Sequence, residues 1–362
     1  MEELLHKDHL QKEDIVRLLS ATGEEMRQLF ARALEVKLQY LDNKVHLRGL
    51  IEYSNRCRKS CLYCGVRGPN DKVHRYTLTD EEVLDCARQA MELRYGSIAI
   101  QSGERSDKAF TDKITELVRE IKRLSDGKLG ITLSLGEQTE EVYRQWFEAG
   151  AHRYLLRIEA SNEALYYKIH PHDDRHDFQR RLSCIDSLLK LGYQTGTGVM
   201  VGLPFQTVED LADDLLFFRR KDVAMVGMGP FIPHQDTPLY AYADQIPSDE
   251  ERLNMTLKMI AVLRLMLPEI NMVAATADQT LDPMGREKAI MVGANVIMPN
   301  LTPTGHREDY LIYPDKACVG DKPEECQSCL DIRMHAIQHE ILYDAWGDSL
   351  AFTKRHAPTV SD

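Results

Sequence analysis

Three closely spaced cysteines are the residues of this chain best suited to chemistry. Cys57, Cys61 and Cys64 form a C-x3-C-x2-C pattern, and Tyr63 directly precedes the last of them. Cysteine thiolates bind iron–sulfur clusters, and a cubane normally takes four of them. This loop offers three and no fourth within reach, so one iron would keep an open coordination position, as a catalytic metal does. A structural zinc site is the alternative, but it requires four closed ligands. The pattern therefore favours a [4Fe–4S] cluster.

The composition excludes several classes of protein. The chain has 362 residues, of which 43% are hydrophobic, and a net charge of −12. Such an acidic chain is not expected to bind nucleic acid or an anionic membrane through a general surface. No apolar run reaches about 18 residues, which predicts no transmembrane helix. The N-terminus lacks the pattern of a signal peptide, and eight cysteines fit reduced metal ligands better than disulfides. We therefore expect a cytoplasmic protein.

From residue 45 onward, short apolar runs alternate with amphipathic segments, which is typical of parallel strands joined by crossover helices. The runs are 45–54, 97–102, 130–135, 153–159, 194–203, 225–232, 271–276 and 294–299. The helical segments between them include 80–94, 108–125, 175–191, 207–220 and 249–267. Eight such repeats predict an α/β fold, a (β/α)8 TIM barrel. We assign 1–44 to an N-terminal helical cap across the bottom of the barrel, 45–301 to the barrel, and 302–362 to a C-terminal extension with a helix near 328–345.

The polar and glycine-rich segments of the chain follow its predicted strands. Barrel enzymes carry their chemistry at the carboxyl ends of the strands. The cysteine loop follows the first strand, and the segments after later strands are 101–104, 132–137, 156–159, 196–204, 276–278 and 298–300. Their common position at one rim predicts a single site there.

The cysteine spacing resembles that of the radical S-adenosylmethionine (SAM) superfamily. There the open iron chelates SAM, and one electron from the cluster cleaves SAM to a 5′-deoxyadenosyl radical. Other segments resemble a narrower family, the HydE maturases of [FeFe]-hydrogenase, which are related to biotin synthase and methylornithine synthase. These segments are QSGE at 101–104, TLSLGE at 132–137, RYLLR at 153–157, MVGLP at 200–204, MVGMGPFIPH at 225–234 and GANVIMPN at 293–300. The resemblance runs from about residue 45 to about residue 330 and implies a radical-SAM barrel.

The resemblance implies a role for each matching residue. The cluster would be bound by Cys57, Cys61 and Cys64. SAM would be bound by Tyr63, Ser102, Gly103, Glu104, Ser134, Arg157, Glu159, Arg181, Gly196, Gly198 and Gly202. The substrate cavity would be lined by Arg48, Gln101, Thr132, Met225, Thr276, Met298 and Tyr313. Carboxylates suit ribose hydroxyls and arginine suits a carboxylate, although Arg157 and Glu159 could equally form an ordinary ion pair. The last three glycines would let the adenine approach the backbone.

Two further groups of side chains could bind metal. Cys318, Cys326 and Cys329 match an auxiliary iron–sulfur cluster that some family members carry, and a zinc site or an empty site stays open for them. His170, His172 and His176 lie on one loop and are expected to be solvated rather than ligating.

The implied substrate is a cysteine-bound Fe(CO)2(CN) unit delivered by the tyrosine-cleaving radical SAM maturase. The adenosyl radical would act on the cysteine sulfur, and the product would lead to the di-iron subcluster of the hydrogenase H-cluster. Further implied partners are the GTPase scaffold maturase and an electron donor such as ferredoxin or flavodoxin.

Two other functions stay open. In an amino-acid mutase or synthase like methylornithine synthase, Asp278 could bind a substrate ammonium, whereas in a maturase we expect it to be solvated at the rim. A non-catalytic iron–sulfur scaffold would bind no SAM. Biotin synthase is disfavoured because its second cluster needs further cysteines on the strands, and none is present there.

Overall fold

The computed structural model describes residues 1–357, so the last part of the predicted C-terminal extension, 358–362, lies outside the described residues. The strands are β1 (Lys44–Leu47), β2 (Gly49–Ser54), β3 (Ser97–Ser102), β4 (Gly130–Ser134), β5 (Arg153–Leu155), β6 (Gln194–Thr197), β7 (Met200–Val201), β8 (Met225–Val226), β9 (Gly229–Pro230), β10 (Asn271–Met272), β11 (Val296–Ile297) and β12 (Glu340–Leu342). The α-helices are α1 (Glu2–Leu5), α2 (Lys12–Leu19), α3 (Gly23–Leu41), α4 (Asp80–Glu92), α5 (Lys108–Leu124), α6 (Glu140–Ala149), α7 (Glu163–Ile169), α8 (Phe178–Lys190), α9 (Val208–Lys221), α10 (Asp249–Met266), α11 (Thr276–Leu281), α12 (Gly285–Met291), α13 (Thr304–Arg307), α14 (Pro323–Ala336) and α15 (Leu350–Arg355).

Eight parallel strands form the barrel. Seven of them lie in one sheet in the order β10-β8-β6-β5-β4-β3-β2. β11 lies between the two edges of this sheet, because it pairs with β1 and because single bridges join Val273 to Val296 and Leu50 to Asn300. β1 and β2 are consecutive parts of one strand, so these contacts close the ring. The predicted α/β barrel is confirmed.

The outer helices turn their apolar faces to the sheet. In α5 the buried apolar side chains recur every three or four residues: Phe110, Ile114, Leu117, Val118 and Ile121. The five predicted helices correspond to α4, α5, α8, α9 and α10. Several strands end earlier than predicted, because the chain turns into the loops of the site beyond the last paired residue. Among residues 1–357, no helix has the length and apolar character needed to cross a membrane.

The N-terminal helices pack on the side of the barrel. α2 and α3 contact α9 and α10. The buried Lys37 of α3 donates to the carbonyl oxygen of Ile290 at 2.9 Å, and Arg219 of α9 donates to that of Leu10 at 2.9 Å. The expected cap across the bottom is therefore not formed by these helices, because their apolar faces find partners among the outer helices.

The C-terminal extension covers the bottom instead. α14 ends at Ala336, and β12 then pairs with β1, so the helix predicted to reach residue 345 is wrong in its second half. Pairing of β12 satisfies the N–H and C=O groups of β1 that face away from β11. Residues 344–349 then cross the floor of the barrel, where the carbonyl oxygen of Gly347 accepts from Asn271 at 2.8 Å and from Arg48 at 3.2 Å.

Arg153 is the main anchor of this floor segment. Its fully buried guanidinium donates to Asp348 and to the carbonyl oxygen of Trp346, both at 2.7 Å, and to the hydroxyl of Thr132 at 3.0 Å. Burial alone would raise the pKa of Asp348, but its hydrogen bond to His152 and the charge of Arg153 outweigh burial and lower the pKa from 3.8 to about 2.

Asp348→Asn should lower the free energy of unfolding at pH 7 by roughly 2 kcal/mol, since one pKa unit corresponds to about 1.4 kcal/mol. Because the folded-state pKa is depressed, this contribution is present above the ordinary pKa of 3.8 and is lost as the pH falls toward 2. Urea denaturation at several pH values from 3 to 7 measures it. Asp344→Asn is the matched control, because Asp344 forms an exposed pair with Arg94 and its loss should change little. Equal effects of the two variants would contradict the role of Asp348.

Candidate active site

The cysteine loop lies directly after β2, at the carboxyl end of the strands, and side chains from neighbouring segments hold its backbone. Asn55 accepts the N–H of Tyr76 at 2.9 Å and donates to the carbonyl oxygens of His74 and Asp309, both at 2.7 Å. The guanidinium of Arg75 donates to several carbonyl oxygens of the loop, including that of Asn55 at 2.6 Å. No sequence pattern pointed to Arg75.

The three cysteines have surroundings that fit thiolates bound to iron. The Sγ atom of Cys57 accepts the backbone N–H groups of Lys59 at 3.4 Å and of Glu104 at 3.3 Å. Cys61 is buried, and Cys57 and Cys64 are half-buried. Burial raises the pKa of Cys61 to about 12 and also raises the pKa values of the other two thiols, so metal binding must displace their protons. Within residues 1–357, no three His, Cys, Asp or Glu side chains converge on a single metal ion. A cubane, with several irons, does not require such convergence.

A buried network of four charges lies beside Cys57. The ammonium of Lys59, within the cysteine loop, lies 3.0 Å from Glu104 and 3.1 Å from Glu137. Arg181 lies 3.2 Å from Glu137 and 3.7 Å from Glu104. Two cations and two carboxylates balance each other, which is how such groups are tolerated in a protein interior. Glu104 and Arg181 were predicted as SAM ligands, whereas Lys59 and Glu137 were not predicted to take part.

Two glycines allow this network to come close to the loop. A Cβ atom at Gly103 would lie 2.6 Å from the carbonyl oxygen of Arg56 and 2.9 Å from the Cβ of Cys57. Gly136 has a φ of +78°, and a Cβ there would meet the side chain of Glu104 at 2.2 Å. Ser102, predicted beside Gly103, donates from its hydroxyl to the carbonyl oxygen of Ser54 at 3.1 Å.

Two of the three histidines near the loop, His170 and His176, are buried, so the expectation that they are solvated is wrong for them, whereas His172 is exposed. Nε2 of His176 accepts the backbone N–H of Ser60 at 3.0 Å, and its Nδ1 lies 2.6 Å from Asp173. Nε2 of His170 lies 3.3 Å from the hydroxyl of Tyr63. These histidines support the cysteine loop because the segment between α7 and α8 folds back onto it.

The other predicted SAM ligands lie at the same rim. Arg157 and Glu159 pair with each other at 2.9–3.0 Å. This contact is the ordinary ion pair that the sequence left open as an alternative to SAM binding. Glu159 has a φ of +66°, in the left-handed region. Ser134 is half-buried at the carboxyl end of β4.

The predicted adenine-binding glycines have a packing reason of their own. A Cβ atom at Gly196 would lie 2.9 Å from that of Met225, and one at Gly198 would lie 1.9 Å from the carbonyl oxygen of Gly227. Gly202 has a φ of +82° and lies against Arg252. The structure thus explains these glycines through strand packing, and their contact with adenine stays a prediction.

The predicted cavity residues divide between the floor and the mouth of the barrel. At the floor, Arg48 donates to the Sδ atom of Met225 at 3.0 Å, and Thr132 accepts from Arg153. Towards the mouth, Gln101 lies 3.4 Å from the hydroxyl of Tyr310, and Thr276 accepts from Arg286 at 2.8 Å. Met298 and Tyr313 are half-buried, and burial raises the pKa of Tyr313.

Residues 309–316 cross the mouth, and we call them the strap. The carbonyl oxygen of Ile312 accepts the N–H of Gly65 at 2.9 Å, which ties the strap to the cysteine loop. Lys316 forms a buried ion pair with Glu52 of β2, whose other oxygen accepts from Asn300 at 2.9 Å. No sequence pattern identified Lys316 or Glu52.

The tail cysteines lie beyond the strap. Cys318 is half-buried, Cys326 buried and Cys329 exposed. Arg307 donates to the carbonyl oxygens of Cys318 at 3.4 Å and of Asp321 at 2.6 Å, which shapes the loop before α14.

Asp278 is fully buried, so its expected position in solvent at the rim is wrong. One carboxylate oxygen accepts the N–H of Ala275 at 2.9 Å and so caps the short helix α11, whereas the other has no hydrogen-bond partner within residues 1–357. Burial raises the pKa of Asp278 to about 8, which keeps the carboxyl mostly neutral at pH 7.

The sequence of the chain is similar to those of known proteins over most of its length. The sequence profile of the radical SAM superfamily matches residues 51–218, which include the cysteine loop and the charge network. The chain is 45% identical to the [FeFe] hydrogenase maturase subunit HydE of Thermotoga maritima over 329 residues, 91% of each protein.

More distant relatives have the same fold. The chain is 26% identical to the 3-methylornithine synthase of Methanosarcina acetivorans over 82% of this chain and 81% of that protein. A crystal structure of methylornithine synthase (PylB) superposes with a TM-score of 0.78 at 23% identity, covering 95% of this chain and 97% of that one.

Radical SAM enzymes use a [4Fe–4S] cluster and SAM, and the three buried or half-buried thiols with backbone N–H groups directed at Cys57 fit the cluster. The 45% identity to the Thermotoga protein over 91% of the chain identifies the family within this superfamily. The chain is a radical SAM enzyme and belongs to the HydE family of [FeFe]-hydrogenase maturases.

Proposed function

We propose that the chain acts on a cysteine-bound Fe(CO)2(CN) unit during assembly of the hydrogenase di-iron subcluster. The observation that carries this proposal is the barrel interior between the cysteine loop and the floor. It contains two buried guanidinium groups, and Arg48 Nε and Arg153 Nη2 have no hydrogen-bond partner within residues 1–357. Such N–H groups suit an anionic ligand such as a carboxylate or cyanide, and the neighbouring Met225 and Thr132 already accept hydrogen bonds from Arg48 and Arg153.

Different regions of the site bind the cluster, bind SAM and enclose the substrate. Cys57, Cys61 and Cys64 bind the cluster, which supplies one electron for reductive cleavage of SAM when both are bound. Glu104 and Arg181, held by Lys59 and Glu137, bind the charged groups of SAM. The SAM ligands further include Tyr63, Ser102, Gly103, Ser134, Arg157, Glu159, Gly196, Gly198 and Gly202. The strap and the floor segment exclude water from the substrate between them, which protects reactive species.

The finer assignments extend this proposal. The substrate cavity further includes Gln101, Thr276, Met298 and Tyr313. Cys318, Cys326 and Cys329 bind an auxiliary iron–sulfur cluster at the periphery. The protein works in the cytoplasm with the tyrosine-cleaving maturase, the GTPase scaffold maturase and a low-potential electron donor.

A second candidate function rests on Asp278. Its second, buried oxygen has no hydrogen-bond partner in the part of the chain that the structure describes, and the chain is similar to methylornithine synthase. An amino-acid substrate with an ammonium group near strand β10 would supply that partner.

Cys57→Ala, Cys61→Ala and Cys64→Ala should each abolish both the reducible cluster and SAM cleavage, because two thiolates cannot retain the cubane. Iron content, electron paramagnetic resonance and 5′-deoxyadenosine formed after dithionite reduction measure the effect. Cys184→Ala is the control, since this thiol lies on the buried face of α8. SAM cleavage at the wild-type rate by any of the three loop variants would refute the assignment.

Replacing Cys318, Cys326 and Cys329 together with Ser should lower the iron content but leave SAM cleavage largely intact. These residues lie in the tail, outside the ring of strands that carries the cysteine loop. The assay compares iron per chain with 5′-deoxyadenosine formed per cluster. Loss of cleavage in a folded variant that keeps its first cluster would contradict the peripheral role.

Asp278→Asn should change hydrogenase activation little if the chain acts on the iron unit. The raised folded-state pKa means that the carboxyl takes up a proton on folding at pH 7, and Asn imitates that neutral form. If the carboxylate binds a substrate ammonium, the change should cost about 2–5 kcal/mol of binding. Activation of apo-hydrogenase by a reconstituted maturation mixture is compared with SAM turnover in the presence of lysine. Turnover with lysine, without activation above the enzyme-free control, would favour the second candidate.

A further inference from the structure

A group of arginines, four of them exposed and Arg105 half-buried, surrounds the cysteine loop on the outer side of the barrel mouth. Its members are Arg56, Arg58, Arg105, Arg175 and Arg180, and we call them the arginine surface. Arg56 and Arg58 flank the ligand Cys57 in the sequence. Four of the five, all except Arg56, line a groove of about 440 Å³ beside Lys59 and Glu104.

The positive charge of this surface is only partly neutralised. The nearby carboxylates outside the buried network include Asp107, Asp173, Asp174 and Asp177. Asp173 is paired with His176, and Asp177 accepts the backbone N–H of Arg180 at 2.6 Å. Arg58 lies 3.7 Å from Asp107, which also pairs with Arg105 at 3.0 Å.

Two of the arginines have no ionic partner among the described residues. Arg56 and Arg175 have no carboxylate oxygen within 4.0 Å among residues 1–357. Arg180 lies 3.4 Å from the buried Glu137, but Glu104 and Glu137 are already balanced by Lys59 and Arg181. An excess of positive charge therefore remains at this point of a chain whose net charge is −12.

From this charge pattern, we propose that the arginine surface is the docking site of a small acidic one-electron donor protein. The inference rests on the proposed function, because the bound cluster must gain one electron per SAM cleaved. The donor is oxidised by one electron and the cluster is reduced by one. The negative charge of the rest of the chain repels an acidic donor, whereas the arginine surface attracts it. Arg56 and Arg58 would place the donor next to Cys57, which binds the cluster. Complementary charge of this kind raises association rates about 10- to 1,000-fold.

Charge reversal at the two arginines that flank Cys57 tests the proposal. The donor-driven assay uses a reduced acidic flavodoxin and follows 5′-deoxyadenosine, and the same enzyme is assayed with dithionite, which needs no docking site. Arg56→Glu/Arg58→Glu should lower the donor-driven rate about tenfold or more at low ionic strength and leave the dithionite rate unchanged. At about 1 M salt the wild-type rate should fall to that of the variant. In titration calorimetry, the Kd of Arg56→Glu/Arg58→Glu for oxidised flavodoxin should be about tenfold higher than that of the wild-type enzyme.

Matched variants separate charge from structural damage. Arg56→Lys/Arg58→Lys keeps the charge and should behave as wild type. Arg27→Glu/Arg123→Glu reverses two exposed arginines elsewhere on the surface and should not alter the donor-driven rate. If charge reversal lowers the dithionite rate, Arg56→Gln/Arg58→Gln repeats the test with smaller perturbation. The proposal would be overturned if Arg56→Glu/Arg58→Glu had the wild-type Kd for flavodoxin. It would also be overturned if this variant and Arg27→Glu/Arg123→Glu lost the donor-driven rate equally. Failure of wild type with dithionite would instead refute the proposed function.

Discussion

The buried charge network at Lys59 is the interaction on which the site depends. Its ammonium lies within hydrogen-bond distance of both Glu104 and Glu137, which follow β3 and β4 by a few residues. Because Lys59 lies within the cysteine loop, the network fixes that loop to two strands of the rigid barrel. Removing one member of such a network would leave an unbalanced buried charge, which is strongly destabilising. The network therefore positions Cys57 and Glu104 relative to each other before any cofactor binds.

Close backbone approach makes the network possible. Gly103 and Gly136 leave room for the cysteine loop and for the side chain of Glu104, which any Cβ atom would obstruct. The N–H of Glu104 also donates to Cys57 Sγ at 3.3 Å, so one residue contributes its carboxylate to the network and its backbone to the sulfur. Local steric requirements and electrostatics thus converge on the same few residues.

The C-terminal extension closes the barrel at both ends. The strap covers the mouth through Ile312 and Lys316, whereas Gly347 and Asp348 cover the floor through Arg48 and Arg153. In both places a buried cation accounts for much of the contact. The interior is consequently bounded by the cysteine loop above and by the floor segment below, which suits a reaction that must exclude water.

The sequence alone determined the features that depend on local spacing. The C-x3-C-x2-C pattern predicted the cysteine loop, and alternating apolar runs predicted the eight-stranded barrel and five of its helices. Contacts between residues far apart in the chain were not predictable in this way. The pairing of Lys59 with Glu137, of His176 with Ser60 and of Lys316 with Glu52 joins segments separated by 78 to 264 residues. Periodicity reports which face of an element is buried, but not which distant group it meets there. For the same reason, the burial of Asp278 and the pairing of β12 with β1 were decided only by the tertiary structure.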